Sequence, residues 1–247
     1  MTEPAAVRPE TAGGPTVERT RPAVAVVPGS VGIVGGTFDP IHIAHLAIAE
    51  EVREVLGLER VLFVPAGEPP HKPGRAVSDA EHRARMVALA IAGNPRFELS
   101  RVELDRPGPS YAVDTLDALH AAARASGRVP DFTFILSEEA VAELPTWHEP
   151  RRLLGLCRFA VVPRGGRVTL PRDWATATFP GLEDRFHFLD GPGLAVSASG
   201  IRERVGLGRP VRYLVPDAVL AYIDDHHLYR PSSGPGTRSA PADRSAP

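Results

Sequence analysis

The chain divides into short segments with two different spacings of apolar residues. Continuous apolar runs such as VGIVG at 31–35 are typical of strands that are buried on both faces of a sheet. Segments with apolar residues three and four positions apart, such as 45–57, are typical of amphipathic helices. Strands are predicted at 31–35, 60–66, 97–100, 131–136, 158–164 and 185–190. Helices are predicted at 45–57, 78–93, 110–126, 149–157, 198–208 and 217–227.

These strand and helix segments alternate along the chain. Strands separated by helices form a parallel sheet that is covered on both faces. The sequence therefore predicts an α/β fold, a doubly wound and Rossmann-like parallel sheet with helices on both faces. Ligands of such sheets bind at the carboxyl ends of the strands, near the point where the strand order reverses. A capping box is predicted at the start of the helix at 78–93, because Ser78 precedes Glu81 by three residues.

The two ends of the chain lack this periodicity. Residues 1–29 are rich in Pro, Ala, Thr and Gly, and residues 231–247 have a similar composition. Such segments hold too few apolar groups to offset the entropy lost on ordering, so both tails are predicted to be disordered. Residues 30–230 are predicted to form one domain, which is long enough for a substantial core.

Composition and charge argue against several classes of protein. The 247 residues carry a formal net charge of −2, which does not suit a general nucleic-acid binder. Cys157 is the one cysteine, so no intrachain disulfide forms, as fits a reducing compartment. Neither a membrane span of roughly 20 apolar residues nor the apolar core of a signal peptide is present. We expect a cytoplasmic protein without a membrane or nucleic-acid partner, and a homo-oligomeric state stays open.

The stretch GGTFDPIHIAH connects the first predicted strand to the first predicted helix. Gly35 and Gly36 let a ligand approach the main chain closely. The helix start then presents unpaired N–H groups and a partial positive charge, which suit an anion. His42 and His45 are three residues apart and share one face of the first turn. Two imidazoles beside N–H groups suit a phosphate whose charge grows in a transition state.

Two other interpretations of the histidine pair stay open on spacing alone. One is metal ligation, although no cysteine or carboxylate cluster accompanies the pair. The other is an ordinary pair of surface or core histidines. A Gly-Gly-Thr-Phe-Asp-Pro turn between a strand and the two histidines is much more specific than a lone glycine motif, and it favours the phosphate interpretation.

This stretch resembles the GTFDPxHxGH signature of the nucleotidyltransferase superfamily. Over roughly residues 31–229 the chain is similar to bacterial nicotinate-nucleotide adenylyltransferases. The segments that carry the likeness include VPAGEPPHK at 64–72, HRARMVALA at 82–90, RPGPSYAVDTLDAL at 106–119, LPTWHEP at 144–150, CRFAVVPR at 157–164 and VSASGIR at 196–202. The resemblance implies transfer of the adenylyl group of ATP to nicotinate mononucleotide, which gives deamido-NAD and pyrophosphate in NAD biosynthesis. It implies Mg²⁺ as well, bound mainly through the triphosphate.

The resemblance also implies which residues bind ATP. His42, His45 and Arg202 would be the catalytic set, with His45 nearest the reacting phosphorus. The implied ATP-binding residues are Gly36, Thr37, Phe38, His42, His45, Ser137, Glu139, Ser197, Ser199 and Arg202. Ser197 and Ser199 would hold the β- and γ-phosphates, although Ser-x-Ser before a helix is on its own more typical of an N-cap.

A second set is implied for nicotinate mononucleotide. Trp147 would stack on the pyridine ring, and the main chain at Tyr111 and Ala112 would receive the carboxylate. Arg158 would lie near the phosphate, and Lys72 would reach an anionic substrate. Read alone, Trp147 equally fits a core tryptophan, Lys72 a surface lysine and Arg158 a strand-edge arginine.

The chain departs from the family pattern at three places. Ala44 replaces the glycine of HxGH, and Ala112 replaces a threonine after Ser-Tyr. After the strand at 131–136, the family pattern Gly-Ala-Asp-Ala is replaced by SEEA. Ser137 and Glu139 then stand where close approach and hydrogen bonding to the ribose are expected, and Glu138 adds a negative charge. We expect the SEEA changes to weaken ATP binding, to shift the choice of nucleotide or to mark a paralogue with altered activity, whereas Ala112 costs little if the main chain binds the carboxylate.

Three alternatives of different kinds accompany this interpretation. One is another adenylyltransferase, acting on a nicotinamide nucleotide or on pantetheine phosphate. Another is a nucleotide-binding regulatory paralogue with weak activity, which only the SEEA segment supports. A class I aminoacyl-tRNA synthetase shares a related histidine signature, but the chain is short for one and carries no basic RNA-binding surface.

Overall fold

One parallel sheet forms the centre of the structure. The computed structural model describes residues 25–68, 77–163, 165, 170–171 and 173–231. Within these ranges the strands are β1 (Val27–Gly36), β2 (Leu58–Pro65), β3 (Phe97–Leu99), β4 (Asp131–Ser137), β5 (Arg158–Val162) and β6 (Phe186–Phe188). They lie in the order β3-β2-β1-β4-β5-β6, and every neighbouring pair is parallel. The order reverses between β1 and β4, as in other doubly wound folds.

Helices cover both faces of this sheet. In the part of the chain that the structure describes, they are α1 (Ile43–Val55), α2 (Ala80–Ile91), α3 (Ala112–Ala125), α4 (Glu138–Ala142), α5 (Pro150–Leu156), α6 (Trp174–Thr178), α7 (Ala198–Gly206) and α8 (Asp217–Asp225). Short 3₁₀ turns occur at Leu144–Thr146 and Glu183–Arg185. None of the described helices is both long enough and apolar enough to cross a membrane. The predicted fold class is confirmed.

Successive strand residues face two separate cores, which explains the continuous apolar runs. In β2, Val61 and Phe63 belong to a core that α1, α2, α7 and α8 cover. Leu62 and Val64 belong to the core beneath α3, α4, α5 and α6. A strand with covered faces on both sides needs apolar residues at every position. Each fully buried Val, Leu or Phe contributes about 1.5–3 kcal/mol, so these two layers fix the sheet.

Several sequence-based boundaries differ from the structure. β1 begins at Val27, inside the segment assigned to the tail, because Val27 pairs with Leu58. The remaining tail residues, 1–24 and 232–247, lie outside the described residues. The capping box predicted at Ser78 is wrong. Asp79 is the N-cap of α2, since its carboxylate accepts from the Glu81 N–H at 2.8 Å.

Candidate active site

The loop between β1 and α1 lies at the carboxyl edge of the sheet, beside the switch point. Phe38 in this loop has φ of +51°, a left-handed conformation that costs a non-glycine residue about 1–3 kcal/mol. The Phe38 side chain is buried in the core beneath α1, which stabilises this conformation. The loop is therefore a defined turn that ends at the start of α1.

His42 and His45 lie together at the start of α1. His42 is the buried N-cap residue, and the two imidazole rings stack with their centroids 3.7 Å apart. The His42 main-chain N–H donates to Nδ1 of His45 at 3.2 Å. In neutral His45, Nδ1 is thus the acceptor and Nε2 carries the proton. The predicted placement of the two histidines on one turn is confirmed.

The Ala44 methyl, which replaces the glycine of HxGH, is buried. Ala44 is 3% exposed, so protein atoms cover this side chain between the two histidines. A buried methyl at this position is compatible with the helix start, because alanine is the best helix former.

Asp39 holds the loop to three other parts of the chain. Its buried carboxylate accepts from the Tyr229 hydroxyl at 2.8 Å and from the Ser78 N–H at 3.3 Å. Its main-chain oxygen accepts from Nη1 of Arg202 at 2.6 Å. Burial, and then the neighbouring Asp39 carboxylate, raise the pKa of Tyr229, so the hydroxyl keeps the proton that it donates. Arg202, which the resemblance placed at the phosphates, here bonds a main-chain carbonyl of the loop.

Arg83 is a buried charge that the sequence analysis did not single out. Its guanidinium donates to the main-chain oxygens of Thr37 at 3.0 Å, Ala66 at 2.6 Å and Gly67 at 3.3 Å, and thereby joins the loops after β1 and β2. Burial lowers the pKa of Arg83, but an arginine in a protein stays charged. A usable signal was present, because Arg83 occupies an apolar position of α2, close in sequence to buried Met86.

A largely apolar cavity of about 230 Å³ lies next to the histidine loop. It is lined by Gly35, Gly36, Thr37, Ala66, Glu103, Ser110, Tyr111, Ala112, Phe134, Leu136, Ala140, Trp147 and His148. Trp147 meets Phe134 edge to face, with ring centroids 6.3 Å apart, and Tyr111 packs on His148 at 4.5 Å. Aromatic walls of this kind suit a flat ring.

The start of α3 opens into this cavity. Tyr111 is the N-cap residue and Ala112 is the first residue of the helix. The first N–H groups of a helix have no partner within the helix and favour a negative group. The structure therefore brings Tyr111, Ala112 and Trp147 together around one cavity, with a helix N-terminus on one side.

Glu103 contributes a buried carboxyl group to the same cavity. Its Oε1 accepts from the Thr115 hydroxyl at 2.7 Å. Burial raises the pKa of Glu103, an effect that the Thr115 and Ser110 hydroxyls and the charge of Arg106 partly oppose. A Cβ at Gly67 would lie 2.5 Å from the Glu103 carbonyl oxygen, so only glycine fits there. The segment between β3 and α3 has no regular period, and sequence reasoning missed this group.

The Ser-x-Ser segment forms the N-cap of α7. Oγ of Ser197 accepts from the Gly200 N–H at 3.1 Å, and the Ser199 hydroxyl donates to Oγ of Ser197 at 3.4 Å. Both serines are exposed at the helix start. Arg202 of the same helix bonds Asp39, so the first turns of α7 lie beside the histidine loop.

The SEEA segment begins where β4 ends. Ser137 caps α4 by accepting from the Ala140 N–H at 3.4 Å. Glu138 is 3% exposed, whereas Glu139 is exposed to solvent. Of the two negative charges in this segment, the one at Glu139 is therefore the accessible one.

Arg158 of the implied nicotinate set does not line the cavity. Arg158 opens β5, at the amino edge of the sheet, and forms an ion pair with Asp131 at 2.5 Å. Successive strand residues advance about 3.3 Å, so the four steps from Arg158 to Val162 separate Arg158 from the carboxyl edge by about 13 Å. This placement contradicts a role at the substrate phosphate. Lys72 lies outside the described residues.

The donor set around the loop does not form a metal centre. Among the described residues, no group of three or more His, Cys, Asp and Glu side chains is arranged to hold a metal ion. Asp39 is the carboxylate of the loop, and both of its oxygens already accept hydrogen bonds.

Known proteins are similar to this chain in sequence and in fold. Residues 33–204 match the cytidylyltransferase-like family. The probable nicotinate-nucleotide adenylyltransferase of Roseiflexus sp. (strain RS-1) is 50% identical over 201 residues, which cover 81% of this chain and 98% of the relative. Its counterpart in Thermomicrobium roseum is 44% identical over 200 residues, which cover 81% of this chain and 91% of the relative.

Solved structures give the same result for the fold. The Plasmodium falciparum nicotinic acid mononucleotide adenylyltransferase complexed with NaAD matches with a TM-score of 0.66 and 18% identity, over 81% of this chain and 97% of that chain. The sequence identity extends over almost the whole length of the bacterial relatives, and the stacked histidines stand at the switch point of the shared fold. The chain therefore belongs to the nicotinate-nucleotide adenylyltransferase family of nucleotidyltransferase enzymes.

Proposed function

We propose that the protein transfers the adenylyl group of ATP to nicotinate mononucleotide, giving deamido-NAD and pyrophosphate. The observation that carries the proposal is the shared wall between two sites. Gly36 and Thr37 line the aromatic cavity and also lead into the loop that carries the two histidines. A ring bound in the cavity and a triphosphate bound at the start of α1 would thus meet at this wall.

The cavity accounts for the acceptor. The pyridine ring would stack against Trp147, which presents a flat apolar face with an ordered edge-to-face neighbour in Phe134. Its carboxylate would accept from N–H groups at the start of α3, near Tyr111 and Ala112, where the helix dipole favours a negative charge. A neutral amide gains less from such a site, which supports nicotinate over nicotinamide.

The histidine loop accounts for the transfer step. A phosphate oxygen of nicotinate mononucleotide attacks the α-phosphorus of ATP in line, the bond to the β-phosphate breaks, and pyrophosphate leaves. No covalent enzyme intermediate is required, so the protein works by positioning and by charge stabilisation. His45 donates from Nε2 to the oxygens that gain charge, and His42 holds it in place through the ring stack and the main-chain hydrogen bond.

The remaining implied ATP contacts fit the same edge of the sheet. Ser197 and Ser199 stand at the start of α7, whose N–H groups suit the β- and γ-phosphates. Arg202 would leave the Asp39 carbonyl to add a charge-assisted bond to the triphosphate. Glu139 is the exposed carboxylate that could accept from the ribose hydroxyls beside Ser137. Mg²⁺ enters as part of the substrate and is held by triphosphate oxygens, which suit this ion.

Two substitutions test the two halves of the site separately. His45→Ala should lower kcat roughly 100- to 1,000-fold, because it removes a donor to the transition state. Trp147→Ala should instead raise KM for nicotinate mononucleotide by about tenfold and leave KM for ATP close to that of the wild type.

The chain offers matched controls for both changes. His120→Ala removes a histidine that bonds the Leu156 carbonyl, and Trp174→Phe alters a tryptophan that packs on Phe186 beneath α6. We expect both controls to keep the wild-type kcat and KM values. Unchanged kinetics in His45→Ala or Trp147→Ala would contradict the roles assigned here. The cytoplasmic location and the homo-oligomeric state stay predictions.

A further inference from the structure

The Tyr229 side chain connects the end of the described chain to the histidine loop. Tyr229 follows α8 and lies 190 residues after Asp39, yet its hydroxyl donates to Oδ1 of Asp39 at 2.8 Å. Its backbone has φ of +64°, and its ring packs against the core that α1, α2, α7 and α8 cover. The left-handed backbone conformation and the partly buried ring together fix the position of the Tyr229 hydroxyl.

The contact matters because Asp39 is a buried carboxylate. Asp39 is 3% exposed, and a carboxylate in such a place needs donors for its oxygens. The Tyr229 hydroxyl donates to Oδ1, and the Ser78 N–H donates to Oδ2 at 3.3 Å. Nη1 of Arg202 lies 3.9 Å from Oδ2 and bonds the main-chain oxygen of the same residue at 2.6 Å.

Asp39 and a bound triphosphate compete for the Arg202 guanidinium. With Tyr229 and Ser78 in place, the Asp39 carboxylate keeps two donors even when Arg202 turns away to a triphosphate. Without the Tyr229 hydroxyl, Oδ1 loses its donor and the carboxylate draws Arg202 more strongly, since Nη1 of Arg202 lies 3.9 Å from Oδ2. The loop would also lose an anchor directly next to Phe38, whose left-handed backbone needs support.

We propose that Tyr229 is a positioning residue for adenylyl transfer: by bonding Asp39 it fixes the loop that carries His42 and His45 and keeps Arg202 available to the triphosphate. This inference rests on the proposed function of the same loop. Tyr229 itself touches no reacting atom. Its effect therefore falls on ATP and on the transfer step, and leaves the acceptor cavity unchanged.

Tyr229→Phe tests this directly, because it removes one hydroxyl and keeps the ring. We expect kcat/KM for ATP to fall roughly tenfold to a hundredfold, as for small displacements of catalytic groups, while KM for nicotinate mononucleotide changes less than about twofold. Tyr222→Phe is the matched control: it lies on α8, and its hydroxyl bonds Nδ1 of His82 at 2.9 Å and not Asp39. The control should keep wild-type kinetics, although both variants lose one part-buried hydrogen bond.

A double-mutant cycle tests whether Tyr229 acts through Asp39. In an Asp39→Asn background, Tyr229→Phe should cause little further loss of kcat/KM, whereas two independent residues would give multiplied losses. Thermal unfolding of each variant shows the folded fraction under assay conditions. Equal kinetics for Tyr229→Phe and Tyr222→Phe, a loss confined to the acceptor KM, or multiplied losses in the cycle would overturn the inference.

A binding measurement separates this inference from the proposed function. Calorimetry with the α,β-methylene analogue of ATP and Mg²⁺ needs no acceptor and no turnover. If the wild type fails to use nicotinate mononucleotide, the proposed function fails; weaker analogue binding in Tyr229→Phe than in Tyr222→Phe would still support the Tyr229 contact. If the wild type turns over and the two variants bind and react alike, the inference about Tyr229 fails alone.

Discussion

At the scale of single residues, the active site depends on polar groups with assigned hydrogen-bond partners. His45 accepts from the main-chain N–H of His42 through Nδ1, which places the proton of the neutral ring on Nε2. Asp39 accepts from two donors through its carboxylate and from Arg202 through its carbonyl. Such contacts hold the side chains before a ligand arrives, which lowers the cost of reaching the reactive geometry.

Glu103 should make the free energy of unfolding depend on pH. Burial raises its pKa above the ordinary value of 4.5, so the native chain keeps a proton that the unfolded chain has lost. The free energy of unfolding should therefore fall as the pH rises from about 4.5 through the raised pKa. Glu103→Gln keeps the acceptor for the Thr115 hydroxyl and cannot ionise.

We expect this variant to gain stability relative to the wild type as the pH rises through that window. Chemical denaturation of both proteins between about pH 4 and about pH 8 measures the difference. A constant difference across the range would show that Glu103 has the same pKa in the folded and unfolded states.

At the scale of elements, three helix starts converge on the carboxyl edge of the sheet. α1 begins after His42, α3 begins after Tyr111 at the cavity, and α7 begins after Ser197. Helix starts present N–H groups and partial positive charge, so their convergence suits a substrate pair that carries several phosphates and a carboxylate.

Ser197→Ala separates capping from phosphate binding at α7. Loss of the cap should lower the free energy of unfolding by about 1 kcal/mol. Asp79→Ala removes the N-cap of α2 and should cost a similar amount. We expect Ser197→Ala alone to raise KM for ATP, by about threefold to tenfold for one lost hydrogen bond to a charged group. If both variants leave KM for ATP unchanged, Ser197 is a cap and nothing more.

The elements that the sequence predicted are those with a long enough pattern. The strands have two covered faces and read as apolar runs, and the long helices have a clear apolar stripe. α4 and α6 were missed because five residues hold little more than one turn, too short for a helical period. The sequence cannot distinguish Ser78 from Asp79 as the N-cap of α2, because Ser and Asp are both preferred at that position and the backbone conformation decides between them.

The sequence predicted the candidate site only where site residues that lie together in space are also close together in the chain. His42 and His45 are neighbours in sequence and in space. The bond from Tyr229 to Asp39 spans 190 residues, and no local pattern carries such information. Arg158 shows the reverse case, because its segment was recognised as similar while its position at the start of a strand puts it at the opposite edge.

At the scale of the whole molecule, the described site residues all lie between Val27 and Tyr229. β1 starts at Val27, and the last side chain to reach the loop is that of Tyr229. We expect a truncated chain of residues 25–231 to keep kcat/KM for both substrates within about twofold of the full chain, since chain ends are the usual sites of tolerated change. A larger loss in a truncated protein with an unchanged melting temperature would assign the removed segments a part in catalysis.

The central claim is that the cavity and the histidine loop act together on nicotinate mononucleotide and ATP. The most direct measurement is pyrophosphate release by the purified full-length protein with ATP and Mg²⁺, with nicotinate mononucleotide, nicotinamide mononucleotide and phosphopantetheine offered separately. We predict rapid release with nicotinate mononucleotide and at least tenfold lower kcat/KM with each of the others. Equal or faster release with another acceptor, or ATP binding without release with any of them, would contradict the account.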